Sequence, residues 1–116
     1  MLFVCYPKCG TCRKAEKYLT ENRIPYEKRM IKEDPPSAEE LRLWHRESGL
    51  PLRKLFNTSG KLYREMNLSE KLKSMSDEEM IQLLAGDGML VKRPILVNGR
   101  QVLFGFREED YASLKK

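Results

Sequence analysis

An apolar run from Phe3 to Tyr6 stops at Pro7-Lys8, two cysteines follow as Cys9-Gly10-Thr11-Cys12, and a helical pattern begins at Thr11. Few local patterns constrain a fold more. A strand that feeds a helix through such a short turn puts both sulfurs at the helix start. Backbone N–H groups there lack partners and the macrodipole is positive. A thiolate at that place is stabilised, its pKa falls, and it becomes a nucleophile at neutral pH. Strand, Cys-x-x-Cys and helix in this order therefore point to a redox dithiol.

The rest of the chain supplies a sheet and a helical block around that turn. Ala15, Tyr18 and Leu19 recur at spacings of three and four while Lys14, Glu16, Lys17 and Glu21 face water, and Asn22 and Pro25 close the helix. Tyr26 to Ile31 reads as a second strand, charged enough for a sheet edge. Strand, helix and strand make a βαβ unit with a right-handed crossover. After the break at Pro35-Pro36, Ser37 with Glu40 and later Ser76 with Glu79 form capping boxes for two more helices. Leu41 and Trp44 give the first its apolar face, and Gly49 with Pro51 ends it. Met80, Ile81, Leu83 and Leu84 do the same for the second. Between them, Leu52, Leu55 and Phe56, then Leu62, Tyr63 and Met66, mark short helical pieces with almost no strand propensity.

After Gly88 the period changes to two. Pro94 to Val97 is a strand, Asn98-Gly99 is the hairpin dipeptide, and Gln101 to Phe104 is the returning strand before a helix from Glu108 to Leu114. The fold class is α/β, in a thioredoxin-like order β-α-β … β-β-α with an inserted helical subdomain. One domain over 1–116 is expected, with its sheet part at about 1–34 and 88–116 and the insertion at about 35–87.

Composition narrows the class of function. Three cysteines, two of them closely spaced, do not form a secreted disulfide framework, and a reducing cytoplasm is the expected setting. No apolar run reaches the length of a membrane span, and the start lacks the basic-then-apolar layout of a signal peptide. The formal charge of +5 is spread among acids, without a Lys/Arg block or an RNA-binding motif. It reads as a solvated surface, with no direct nucleic-acid binding and no membrane partner expected, and the chain as a monomer.

Within the motif, Cys9 comes first and is the exposed attacker, while Cys12, about one helical turn further in, is the resolving thiol. The backbone N–H groups of Gly10, Thr11, Cys12 and Arg13 at the helix start are suited to an anion. Structural zinc needs four ligands, and only Cys5 and His45 remain, neither in a pair, so no metal is expected. Cys5 reads as a small buried hydrophobe, His45 as an exposed helix residue, and the Leu/Met stripe from Leu68 to Leu84 as core. Gly105-Phe106 reads as a close backbone approach beside the site.

The chain resembles the arsenate reductase (ArsC)/Spx family over nearly its whole length. The resemblance rests on Tyr6-Pro7-Lys8-Cys9-Gly10-Thr11-Cys12-Arg13-Lys14, on Pro35-Pro36-Ser37 with Glu39-Glu40-Leu41, on Phe56 to Tyr63 and Asn67-Leu68, on Met89-Leu90-Val91-Lys92-Arg93-Pro94-Ile95, and on Gly105-Phe106. It implies a cis peptide at Pro94 facing the thiols, and Arg93 as a cation for the Cys9 thiolate or a bound oxyanion. Arsenate reductases of the family attack arsenate with one cysteine, hold it with arginines, and are turned over by glutathione and glutaredoxin. Spx-type regulators carry a Cys-x-x-Cys switch and bind the RNA polymerase α subunit's C-terminal domain. Cys9 matches the attacking cysteine, and Cys12 points to the dithiol branch. Arg93 matches one oxyanion arginine; Asn57 and Phe106 stand where two others are aligned.

The expected function is thiol–disulfide redox chemistry through Cys9 and Cys12 with no bound cofactor. A glutathione or thioredoxin system is the electron donor, and glutaredoxin, thioredoxin or another thiol protein the partner. Two alternatives stay open: an Spx-type redox-sensing regulator, and a glutaredoxin- or thioredoxin-coupled arsenate reductase. Arsenate turnover is expected to be weak or absent unless Arg53, Arg64 or Arg107 replaces the missing arginines.

Overall fold

The structure, a computed structural model, describes residues 1–114. Four strands, β1 (Leu2–Cys5), β2 (Glu27–Met30), β3 (Ile95–Asn98) and β4 (Gln101–Phe104), form one sheet in the order β2-β1-β3-β4. Strand β1 runs parallel to β2 from Leu2–Glu27 to Cys5–Met30 and antiparallel to β3 through Phe3–Leu96 and Val4–Ile95. The helices are α1 (Gly10–Glu21), α2 (Ala38–Ser48), α3 (Lys61–Glu65), α4 (Leu68–Lys71), α5 (Asp77–Gly86) and α6 (Glu108–Ala112). This is the thioredoxin-like arrangement, with the charged β2 at an edge.

The strand period of two divides the core between the two sheet faces. Phe3, Cys5 and Leu96 point to one side, where Cys12, Ala15 and Leu19 of α1 and Tyr111 of α6 cover them. Val4, Ile95 and Val102 point to the other, under Leu41 and Trp44 of α2 and Ile81 and Leu84 of α5. The helical block is thus one layer of the fold, sharing its core with the sheet. Both capping boxes form: the Ser37 and Ser76 side chains accept from the N–H groups of Glu40 and Glu79, and each glutamate accepts in return from the serine N–H. Arg29 of β2 anchors α2 by gripping Glu40 at 2.7 and 2.8 Å and the carbonyls of Asp34 and Pro35 at 2.9 Å.

Three local expectations need correction. The hairpin loop is Gly99-Arg100 and not Asn98-Gly99, because Asn98 pairs with Gln101 and extends the ladder by one step. Gly99, at φ +59, then takes the first loop position, where a positive φ is needed. Strand β1 ends at Cys5 and not Tyr6, whose N–H turns away to the Cys12 sulfur at 3.3 Å. The helical block also contains extended backbone. Phe56 bridges Val91, Asn57 N–H donates to Leu90 at 2.8 Å, and Lys92 N–H donates to Leu55 at 2.7 Å. That stitch fastens the block to the segment preceding Pro94. Among the described residues, no helix is long and apolar enough to cross a membrane.

Candidate redox site

Strand β1 delivers the chain to the first turn of α1, and the connecting loop is closed by the Cys9 N–H donating to the Tyr6 carbonyl at 3.0 Å. Cys9 becomes the N-cap of α1, with extended backbone at φ −89 and ψ 121. It is half-buried, while Cys12 is only 2% exposed beneath it. All three cysteines are free thiols.

The two positions act on ionisation in opposite directions. Partial burial opposes a charge on Cys9. It is outweighed by the Cys12 N–H, the Cys12 thiol, the Thr11 N–H and the positive charge of Arg93, so the Cys9 pKa lies below the ordinary thiol value. As a neutral thiol Cys9 makes no capping hydrogen bond; these donors act when the sulfur is charged, since ionised acceptors bind them more strongly. Cys12 is pushed up to about 12, first by burial and then by the neighbouring Cys9 and Cys5, against the opposing N–H of Tyr6. Burial likewise raises Cys5.

The expected anion cradle is one group smaller than its sequence suggests. The Arg13 N–H donates to the Cys9 carbonyl at 3.1 Å, the first bond of the helix, which leaves the amides of Gly10, Thr11 and Cys12.

The Arg93–Pro94 peptide is cis, and Arg93 shares a cavity with Cys9. The Arg93 guanidinium lies 5.3 Å from the centre of the Tyr6 ring, and its Nη1 donates to the carbonyls of Met89 and Val91 at 3.2 and 3.4 Å. Both acceptors are neutral carbonyls, so no carboxylate stands between this guanidinium and Cys9 among the described residues. Gly105 N–H donates to the Pro94 carbonyl at 2.8 Å, which ties the end of β4 to the same corner. Phe106 follows and stacks edge-on against Tyr111 at 4.8 Å. Cys9, Thr11, Asn57, Arg93 and Phe106 all line one cavity of about 450 Å³. Among the described residues, no cluster of three or more His, Cys, Asp or Glu side chains is placed to hold a metal.

The model of the ArsC family matches residues 5–114. The chain belongs to the ArsC family. It is 54% identical to an ArsC family related protein from Bacteroides fragilis, whose crystal structure it matches with a TM-score of 0.96 over 98% of this chain and 96% of that one. It is 45% identical to a candidate arsenate reductase from Streptococcus mutans, with a TM-score of 0.87 over 96% of both chains. The global transcriptional regulator Spx 1 of Bacillus cereus is 31% identical over 106 residues, which are 90% of this chain and 78% of the regulator.

For this ArsC-family protein, the structure brings Cys9, Arg93, Asn57 and Phe106 to one cavity, with Cys12 against Cys9 and Pro94 joined to Arg93 by the cis peptide. Of the three arginines considered as replacements, Arg107 lines that cavity, Arg53 lines a different one, and Arg64 lies on α3 outside both. His45 sits on α2, far from the thiols in the sequence and absent from the cavity wall. Sequence reasoning missed Tyr6 and Lys92. The aromatic ring before Pro7 and the lysine beside Arg93 were the available signals, but only the fold shows that they converge.

Proposed function

We propose that this protein carries out thiol–disulfide exchange, with Cys9 as attacking thiolate and Cys12 as resolving thiol. The observation that carries the reading is the placement of the two sulfurs, Cys9 half-buried at the helix N-cap, where its pKa is lowered, and Cys12 buried beneath it, where burial raises its pKa. The Cys9 thiolate attacks a disulfide RS–SR, forming Cys9–S–S–R and releasing RS⁻. Cys12 gives up its proton as it attacks the Cys9 sulfur, displacing the second RS⁻ and leaving a Cys9–Cys12 disulfide. Two electrons pass to the substrate, and a glutathione, glutaredoxin or thioredoxin system of the cytoplasm returns them.

The test is a pH series of alkylation rates followed by mass spectrometry, together with stoichiometric reduction of a simple disulfide. Cys9 should react at a pH below the ordinary thiol range, and each protein molecule should release two thiols. Equal, ordinary reactivity of Cys9 and Cys12 would sink the reading.

The 31% identity to Spx 1 favours a second reading, in which the same disulfide is a switch and the partner is the RNA polymerase α subunit's C-terminal domain. A pull-down with that domain in oxidised and reduced states decides it, and binding in neither state removes it. Arsenate fits the site less well. Asn57 and Phe106 line the cavity where two family arginines are aligned, and losing one such donor costs about 10²–10³ in rate. Arg107 lines the same cavity but is engaged by Glu109 at 2.9 Å, so coupled NADPH turnover with arsenate, compared with a disulfide, should be weak.

A further inference from the structure

The cavity at Cys9 is lined by four basic side chains, Lys8, Lys92, Arg93 and Arg107, and by no carboxylate. Glu109 answers Arg107 at 2.9 Å. Lys8, Lys92 and Arg93 make no ion pair among the described residues. One cation, Arg93, already acts on the Cys9 thiolate. The others leave the mouth of the cavity positive even after Cys9 ionises, and a concave wall of one sign concentrates ligands of the other.

Of the two cations besides Arg93 without an ion-pair partner among the described residues, Lys8 and Lys92, the structure positions Lys92 by both its backbone and its side chain. Its N–H is fixed to the Leu55 carbonyl at 2.7 Å. Its side chain crosses Gly105, where a Cβ would stand 3.0 Å from Lys92 Cε. Gly105 also has φ +82, so the absent side chain serves both the turn and the passage of the lysine stem.

We infer that the site selects disulfides bearing carboxylates beside the S–S bond, and that Lys92, laid across Gly105, is the residue that reads that charge. This rests on the dithiol reading above and adds the substrate class. Cys9 attacks the near sulfur and RS⁻ leaves. Lys92 pairs with the carboxylate kept on Cys9–S–S–R until Cys12 displaces that fragment as the second RS⁻. The two protein thiols are oxidised and the substrate is reduced to two thiols.

The experiment measures stoichiometric reduction of dithiodipropionate (anionic), hydroxyethyl disulfide (neutral) and cystamine (cationic), each divided by its rate with dithiothreitol to remove intrinsic reactivity. At low salt the corrected anionic rate should exceed the neutral one by about tenfold and the cationic one should fall below it, with the spread shrinking as salt rises. Lys92→Gln should cut the anionic-to-neutral ratio by about three- to tenfold, and Lys92→Arg should keep it. Arg53→Gln removes the same charge from a different cavity and should leave the ratio as it was. A wild-type ratio equal to that of dithiothreitol overturns the inference, as does an Arg53→Gln effect as large as that of Lys92→Gln. If none of the three disulfides is reduced, the dithiol reading itself falls and this inference falls with it.

Discussion

Two cavities of the protein contrast in what lines them, and the larger of the two holds no thiol. The one inside the helical block measures about 690 Å³ and is lined by Leu52, Arg53, Tyr63, Leu72, Lys73 and Asp77 among others, with no thiol. Its charge is partly balanced, by Asp77 in the wall and by Glu70 at 3.4 Å from Lys73. The smaller one joins a helix N-cap, a cis-proline corner and uncompensated cations around a sulfur. Volume alone does not mark reactivity. What marks it is an arrangement in which backbone dipoles and side-chain charges stabilise a nucleophile that burial would otherwise suppress.

The largest expected difference between the two regions is in activity. Cys9→Ser should lower disulfide reduction by more than about 10³-fold. Cys12→Ser should leave the first exchange intact and stop at the mixed disulfide, with one thiol released where the wild type releases two. Lys73→Gln, in the larger cavity, should change the rate by less than about twofold. Substantial reduction by Cys9→Ser would move the chemistry elsewhere and break the comparison.

Next in size is an effect on stability without one on reactivity. Leu84 is fully buried between α5 and the sheet, and Leu84→Ala should cost about 2–5 kcal/mol in urea unfolding. Cys12, Ala15 and Leu19, which hold the thiol turn, belong to the core on the opposite face. Alkylation of Cys9 in the folded variant should therefore match the wild type. A parallel loss of reactivity would show that the two faces do not act independently.

A smaller change is expected at Arg93, whose charge is one of several influences on Cys9 and not the largest. Arg93→Gln should move the alkylation midpoint of Cys9 up towards the ordinary thiol range and slow the reaction at neutral pH by about three- to tenfold. An unchanged midpoint would leave the helix-start amides and the Cys12 thiol as the sources of the shift.

How much of this was legible beforehand follows from the range of each interaction. The strands, both capping boxes and the thiol turn are written in residues within a few positions of one another, and the alternation Phe3, Val4, Cys5 already separates the two core faces. The hairpin register moved by one residue because pairing of Asn98 with Gln101 is a cross-strand preference that the dipeptide does not encode. The Phe56–Val91 bridge joins segments 35 residues apart in numbering, and no local periodicity announces it. Asn57 reaches the site through that bridge, and Lys92 through its crossing of Gly105. Arg13 lost its place in the anion cradle to an ordinary helical hydrogen bond. The placement of contiguous residues was readable, and the convergence of distant ones on the cavity wall was not.

The smallest expected effect is on the pH dependence of stability, and it bears on the two sulfurs separately. Cys9 has a lowered pKa in the folded protein. Between that pKa and the ordinary thiol value the unfolded chain binds more protons than the folded one, so stability rises with pH across this window. The contribution is complete above the ordinary thiol value and is lost as pH falls through the folded pKa. Cys12 has the opposite sign. Its pKa is pushed up to about 12, so the folded protein keeps a proton that the unfolded chain gives up, and stability falls as pH climbs from the ordinary thiol range towards that value. Urea unfolding under reducing conditions, from neutral to alkaline pH, should give a wild-type advantage over Cys9→Ser that grows through the first window. Against Cys12→Ser, the wild type should lose ground in the second. A difference from Cys9→Ser that stays flat through the first window would mean that Cys9 is not ionised by the fold, and the contrast between the helix N-cap and the rest of the molecule would lose its electrostatic basis.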